Sequence, residues 1–400
     1  MLYYVAMKIL HTGDLHIGKS FYEFSLLEDQ KHILQQILQE LTQDEYDALF
    51  ITGDIYDRAN PSPEAVEVFN NFLVALKQQF PLLNIFIISG NHDSAKRLSF
   101  GTDFFTSHTI YFSTKAEQSL TPVILKDKEG LTVEVFSLPF LTAGDIANEI
   151  NQQKMVQCAI EQIENNRNKE LPALLLAHVF TLGAITSDSE RSILGTAEQI
   201  NASVFEQFAY VALGHIHKPQ KVADRIFYAG SPLAYSFSES AYEKSLLKIT
   251  LSQSDNPQFP NLTTETIPLQ PLHPVERIEG FFEALLQDKK YEQYTNSYLE
   301  ISLSDSILIE NVASLLRKRF PYLLAIKNQN LIDEIEKQAG SQAKSTINLE
   351  EETSIENLFS AFIQDIYEIS ETEETWKEET EIFKKIQQDL NNETSYLNTL

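Results

Sequence analysis

Cysteine, tryptophan and methionine are scarce, with one, one and three residues in a chain of 400. The lone thiol, Cys158, excludes an intramolecular disulfide and any zinc site built from several thiolates. A reducing, cytoplasmic setting is the default that follows. Long apolar runs are also lacking: the longest, such as residues 171–180, fall well short of the ~18 residues that suggest a membrane span. The sequence is expected to make no bilayer crossing. No basic segment precedes the apolar residues 1–6, so no signal peptide is read there. Met7 directly precedes the first motif-bearing strand, and the sequence leaves open whether Met1 or Met7 is the start.

Basic residues are the third shortage: 31 Lys and Arg stand against 57 Asp and Glu, a formal net charge of −26. That balance argues against a protein that holds nucleic acid by a large basic surface of its own. The charge is unevenly placed, because residues 350–400 hold 14 acidic residues and 3 lysines and so contribute −11 of it. The body remains acidic. With 43% hydrophobic and 22% charged residues, the chain is that of a globular protein with a real core, and its length suggests about two to three domains.

From residue 8 to about 249, short apolar β-like runs alternate with amphipathic helical stretches, which predicts an α/β layered domain. The runs lie at 8–11, 48–52, 85–89, 133–138, 173–177 and 210–213. Ile33, Leu34, Ile37, Leu38 and Leu41 recur at helical spacing after the first, and Val66, Phe69, Phe72, Leu73 and Leu76 after the second. A stretch rich in Ser, Asn, Thr and Pro at 252–274 reads as a linker that ends this domain. Beyond it, strand-like 298–303, helical 308–320 and strand-like 322–327 suggest a compact βαβ or split-βαβ unit. Further on, Ile355, Leu358, Phe359, Phe362, Ile363 and Ile366 trace one apolar stripe, suited to packing on its own protein or to docking in a partner's groove.

Five clusters follow five of the predicted strands directly: Gly13-Asp14-Leu15-His16, Gly53-Asp54-Ile55-Tyr56-Asp57, Gly90-Asn91-His92-Asp93, Ala177-His178 and Gly214-His215-Ile216-His217. Ligands of α/β sheets bind at the carboxyl ends of strands, so these loops should converge. Asp14, His16, Asp54, Asn91, His178, His215 and His217 offer only oxygen and imidazole donors, a set that suits Mn²⁺, Fe²⁺ or Zn²⁺ better than Mg²⁺. Seven donors are too many for one ion. Divided between two ions about 3.5–4 Å apart, they would clamp the attacking and leaving oxygens of a phosphoryl group. His92, beside Asn91, is placed to protonate the leaving oxygen. The roles of Asp57 and Arg58 stay open between substrate contact and loop structure. His11, His32, His108 and His273 match no ligand pattern and are expected to be structural or solvated, with His11 a candidate to support a ligand.

Gly-Asp-x-His, Gly-Asp-x-x-Asp, Gly-Asn-His-Asp and Gly-His-x-His, in this order, resemble the calcineurin-like metallophosphoesterase superfamily. Residues 11–18, 177–184 and 228–239 narrow the resemblance to the SbcD family, bacterial relatives of the Mre-type nucleases, and it continues through 274–280 and 319–322. The resemblance implies a layered α/β fold, a β-sandwich flanked by helices, with a small α+β capping domain and a C-terminal helical segment. The implied divisions are 7–265, 270–340 and 350–400, the last an acidic, partner-binding segment. It further implies a dinuclear manganese site in which Asp14, His16, Asp54 and His217 hold one ion and Asp54, Asn91, His178 and His215 the other, with His92 as the catalytic histidine. Implied partners are DNA and an SbcC-like coiled-coil ATPase in a two-plus-two complex. Implied activities are 3′-to-5′ exonuclease action on double strands and endonuclease action on hairpins or single strands, in DNA repair, recombination and replication. No Walker A motif is present, so ATP use would belong to the partner. Gly13 departs from the serine of many relatives, and the acidic tail beyond Ile366 is longer than the family pattern.

Two other readings compete. A phosphatase or small-molecule phosphodiesterase of the same superfamily would suit the acidic charge but has no need of a second domain. A non-catalytic scaffold for an ATPase should have lost ligands, and here all seven are present with His92. Lys19, Lys96, Arg97, Arg191 and Lys218 lie near the motif loops and are candidates for phosphate contacts.

Overall fold

A computed structural model of the chain describes residues 6–328 apart from 147, 148, 150, 192–198, 307, 308 and 310. The apolar stripe at 355–366 and the acidic tail lie outside the described residues. Two six-stranded sheets face each other. In the first, Met7–Thr12, Ala48–Ile51, Asn84–Ile88 and Ile110–Ser113 run parallel in that order. In the second, Thr132–Leu138, Ala173–His178 and Tyr210–Gly214 run parallel beside Ile226–Tyr228. All six strands read from the sequence are present.

Period-two alternation divides each strand between two cores. On the first strand Met7 and Ile9 face the second sheet, where they join Phe50, Phe86, Val135, Leu174, Leu176 and Tyr210. Phe50 and Phe86 are fully buried there and meet edge to face, ring centroids 5.3 Å apart; burying such side chains contributes about 1.5–3 kcal/mol each. The opposite faces pack on helices. Leu10, Leu49 and Ile85 meet the helices Leu27–Gln43 and Pro63–Gln79, and Phe136, Leu175 and Val211 meet Gln152–Asn166. Ser62 caps the second of these helices by accepting from the Ala65 N–H, with Pro63 in the first turn. The result is helix, sheet, sheet, helix. No helix among the described residues is long and apolar enough to cross a membrane.

The stretch read as a linker is partly a strand. Asn261–Pro268 pairs antiparallel with Ser245–Ser252 along its whole length and forms the edge of the first sheet. Its Thr-rich composition suits an exposed edge as well as a loop, which is why the apolar pattern missed it.

The smaller unit beyond it is a three-stranded parallel sheet of Val275–Gly280, Tyr298–Leu303 and Leu323–Lys327. Helices Phe282–Gln287 and Val312–Arg317 make the two crossovers, so two βαβ units follow in series. Leu285, Leu299, Ile301, Leu316 and Phe320 form its core. It is fastened to the first helix of the large domain by a buried carboxylate. Asp29 accepts from the His273 N–H at 3.1 Å, from His273 Nδ1 at 3.0 Å and from the Tyr298 hydroxyl at 3.0 Å.

Candidate metal centre

Asp14, Asp54 and Asn91 follow strands of the first sheet, whereas His178 ends, and His215 follows, a strand of the second. The five loops therefore meet where the carboxyl ends of both sheets close the sandwich. Backbone hydrogen bonds knit them together: Asp14 N–H to the Gly53 carbonyl at 3.0 Å and His16 N–H to that of Asp54 at 2.9 Å. Across the seam, the His215 N–H donates to the Asp14 carboxylate at 2.9 Å and the Thr52 hydroxyl to the Leu213 carbonyl at 3.3 Å.

Such close approach explains two of the glycines. A Cβ on Gly90 would overlap the Asp54 carboxylate and amide, and one on Gly214 would overlap the Thr52 carbonyl. Four of the candidate ligands also take left-handed backbone themselves: Asp14 at φ 52°, His16 at 44°, Asp54 at 48° and His215 at 100°. Strain of this sort is held only where the surroundings over-determine it.

The side chains converge as the sequence predicts. His178 Nδ1 donates to the Thr52 carbonyl at 2.8 Å, which leaves Nε2 to face Asn91 Oδ1 at 2.9 Å and Asp54 Oδ2 at 3.5 Å. His215 Nδ1 lies 2.9 Å from the same Asn91 oxygen. His16 Nε2 is 3.1 Å from His217 Nε2 and 3.6 Å from Asp54 Oδ2. Donor atoms of Asp14, His16 and His217 lie within 4.8 Å of one another, and so do those of Asp14, Asp54 and His178. Asp14 thus reaches both groups, a position that the resemblance gives to Asp54 alone.

Two atoms test whether cations fit. Asp14 Oδ2 and His215 Nε2 are buried with no hydrogen-bond partner. A buried carboxylate oxygen and a buried imidazole nitrogen left without partners are each costly in a folded chain unless something satisfies them, and a divalent cation would do so with this donor set. The electrostatics agree. Burial pushes the Asp14 carboxyl up to about 7, against the pull of His178 and His217. Burial would also raise Asp54, but the imidazoles of His178, His16 and His92 hold it well below the usual carboxylate range. For His178 burial works against the charge, yet Asp54 raises it to about 9. His215 is pushed by burial to about 3, which keeps its imidazole neutral.

Around the donors, the open positions acquire places. His92 Nδ1 lies 2.7 Å from the Asp57 carbonyl, and its N–H donates to Asp54 Oδ1 at 2.9 Å. The Asp57 carboxylate accepts from Lys19 Nζ at 2.6 Å and stands 3.7 Å from His16 Nδ1. Asp57 is loop and site structure at once. Arg58 reaches Asp57 at 3.6 Å with its side chain 80% exposed, available to solvent and to whatever approaches. Lys19 lines the cleft with His92; Lys96 and Arg97 flank an adjacent hollow with Phe100; Lys218 lies over the Tyr242 ring. The Arg191 side chain is outside the described residues. His11 touches no donor: its Nε2 is 3.3 Å from the Thr52 hydroxyl, and Thr52 in turn accepts from His178. His108 is exposed, and His273 serves Asp29.

Two residues received no role from the sequence. Asp93 accepts from the backbone N–H groups of Ile55, Tyr56 and Gly90 at 3.0, 3.0 and 2.9 Å and so ties two loops together. Glu239, fully buried, lies 3.3 Å from His217 Nδ1 and 2.6 Å from Lys244 Nζ. The signal for Asp93 is its place in Gly-Asn-His-Asp; that for Glu239 is its place at the end of 228–239, a stretch that carries the resemblance without a metal-ligand spacing.

A family model described as calcineurin-like phosphoesterase matches residues 7–219. A second, described as type 5 capsule protein repressor C-terminal domain, matches residues 271–367. The chain is 33% identical over 362 residues to the SbcD subunit of the nuclease SbcCD from Staphylococcus epidermidis, an alignment that covers 88% of this chain and 92% of the relative. Among solved structures, a dimetal phosphatase from Danio rerio aligns with 66% of this chain and 96% of its own at 9% identity and a TM-score of 0.39. The protein TT1561 of Thermus thermophilus aligns with 66% and 99% at 12% identity and a TM-score of 0.38. On the two family matches and the long, one-third-identical relative, the chain belongs to the calcineurin-like phosphoesterases and, among them, to the SbcD family of nuclease subunits.

Proposed function

We propose that this chain is a metal-dependent DNA nuclease, the SbcD component of an SbcCD-like complex, and that Asp14, His16, Asp54, Asn91, His178, His215 and His217 hold two divalent ions, Mn²⁺ by preference. The observation that carries the reading is the pair of orphaned atoms, Asp14 Oδ2 and His215 Nε2, inside a buried set of oxygen and imidazole donors. Bound there, the ions would lower the pKa of an attacking water to about 7 and offset charge on the phosphoryl oxygens.

The chain's own groups do the rest. The Asp57 carbonyl holds the proton of His92 on Nδ1, so Nε2 is the nitrogen free to pass a proton to the leaving oxygen. Lys19, fixed by Asp57, supplies a positive group at the cleft, and Arg58 a second outside it. With a net charge of −26 the chain relies on the ions and on its partner for most phosphate contacts. That partner is an SbcC-like coiled-coil ATPase, in a two-plus-two assembly, with 350–400 as its docking segment, 270–340 as the capping domain and 7–265 as the nuclease domain. The setting is cytoplasmic.

The test is to offer purified protein with Mn²⁺ end-labelled single-stranded and hairpin DNA, with bis-p-nitrophenyl phosphate and p-nitrophenyl phosphate in parallel. Cleavage of DNA and the diester, with the monoester spared, is expected. A better rate on the monoester, with DNA intact even when an SbcC-like partner is added, would replace this reading by a phosphatase.

A further inference from the structure

We propose that Glu239 is a positioning residue of the centre: it fixes the proton of His217 on Nδ1 and ties the cleft-rim residues 187–190 to that same imidazole. The inference rests on the reading of His217 as a ligand. Glu239 ends the short turn Phe237–Glu239 and is fully buried. Its Oε1 lies 3.3 Å from His217 Nδ1 and accepts from Ser189 Oγ at 2.6 Å, Ser236 Oγ at 3.0 Å and Ser187 Oγ at 3.2 Å. Its Oε2 accepts from Lys244 Nζ at 2.6 Å.

This network holds His217 at its Nδ1, its backbone N–H and its carbonyl. Lys244 Nζ also donates to the His217 carbonyl at 3.1 Å, and Glu190 Oε1 accepts from the His217 N–H at 2.6 Å. Glu190 in turn accepts from the Ser187 N–H at 2.6 Å, while Ser189 and Glu190 line the cleft. Rim and ligand therefore share two carboxylates.

A carboxylate can only accept, so the nitrogen facing it carries the hydrogen. With that hydrogen on Nδ1, His217 Nε2 turns its lone pair toward His16 Nε2, 3.1 Å away, which is the form in which an imidazole coordinates a cation. Stability gives no reason for burying this arrangement. A buried ion pair such as Glu239 and Lys244 is weakly stabilising at best, since desolvation offsets the attraction. What it does provide is an acceptor of fixed position and charge behind the ligand.

Glu239→Gln tests this at nearly constant shape. The amide has one accepting and one donating end. Lys244 claims the oxygen, which leaves the NH₂ facing His217 Nδ1 and favours the proton on Nε2. The wild-type protein should take up two Mn²⁺ by calorimetry. The variant should keep one and bind the other about 10–100-fold more weakly, and its ¹⁵N-histidine spectrum with Zn²⁺ should show His217 protonated on Nε2. Glu239→Asp, which keeps the charge for Lys244, should recover part of the loss, and it decides the matter if Glu239→Gln does not fold. Two ions bound at wild-type affinity, with the His217 spectrum unchanged, would reduce Glu239 to a core ion pair. Fewer than two ions on the wild type would instead remove the metal centre itself.

Discussion

His16 Nε2 and His217 Nε2 face each other at 3.1 Å, although 201 residues separate them in sequence. Two imidazole nitrogens so close must share either a proton or a cation. Asp14, raised by burial to about 7, and His178, raised to about 9 by Asp54 in spite of burial, both carry protons at pH 6. Cations must displace both. Metal binding should therefore release protons and tighten as pH rises through these two values, with the release falling toward zero above about 9. Calorimetry in buffers of different ionisation enthalpy reads the number directly. A release that does not change between pH 6 and pH 10 would contradict the assignment of Asp14 and His178.

His92 touches Asp54 and Asp57 but lies outside the set of seven donors. His92→Ala should cut the rate of diester hydrolysis by about 10²–10⁴-fold while both ions remain bound. Single-turnover rates at saturating Mn²⁺, with calorimetric counting of ions, separate the two effects. Loss of an ion along with the rate would make His92 a ligand instead of a proton donor.

Gly214→Ala places a methyl group on the Thr52 carbonyl, an atom that also receives the His178 Nδ1–H. Overpacking of this kind costs about 1–3 kcal/mol, and here it pushes the two sheets apart at the centre. Urea unfolding should show the loss. Mn²⁺ affinity should fall with it, because the displaced carbonyl orients His178, one of the seven proposed ligands.

Asp29→Ala strips three partners at once from the junction of the two domains: His273 N, His273 Nδ1 and the Tyr298 hydroxyl. Buried donors left unmade cost about 1–3 kcal/mol. Amide exchange should accelerate in Tyr298–Leu303 while Ala48–Ile51 stays protected, which distinguishes a loosened cap from a loosened fold.

The sequence displayed the strands that carry the candidate ligands because most are nearly continuous apolar runs, ended by glycine before the polar cluster or, at Ala173–His178, by the histidine itself, as strands buried on both faces are. It hid the edge strand Asn261–Pro268, whose residues are mostly exposed and so show no apolar alternation. It singled out the seven side chains that the fold brings together, since each belongs to a compact cluster at a strand end. Glu239 escaped for the opposite reason. It ends the stretch 228–239 that carries the resemblance, but a buried carboxylate facing a histidine 22 residues earlier has no spacing that announces its role, which packing reveals.

The left-handed backbone at Asp14, His16, Asp54 and His215 restricts how this centre can change over generations. Among residues with a side chain, Asn, Asp and His tolerate that conformation best, so the shape of the chain and the chemistry of cation binding admit nearly the same short alphabet. Most single substitutions at these four places would lose a donor and add strain of about 1–3 kcal/mol together. Asn escapes the second penalty. Routes by which such a centre drifts toward an inactive form should therefore begin with Asp-to-Asn or His-to-Asn exchanges, which keep the backbone conformation but, with a neutral amide oxygen in place of a carboxylate or imidazole, weaken the hold on a cation.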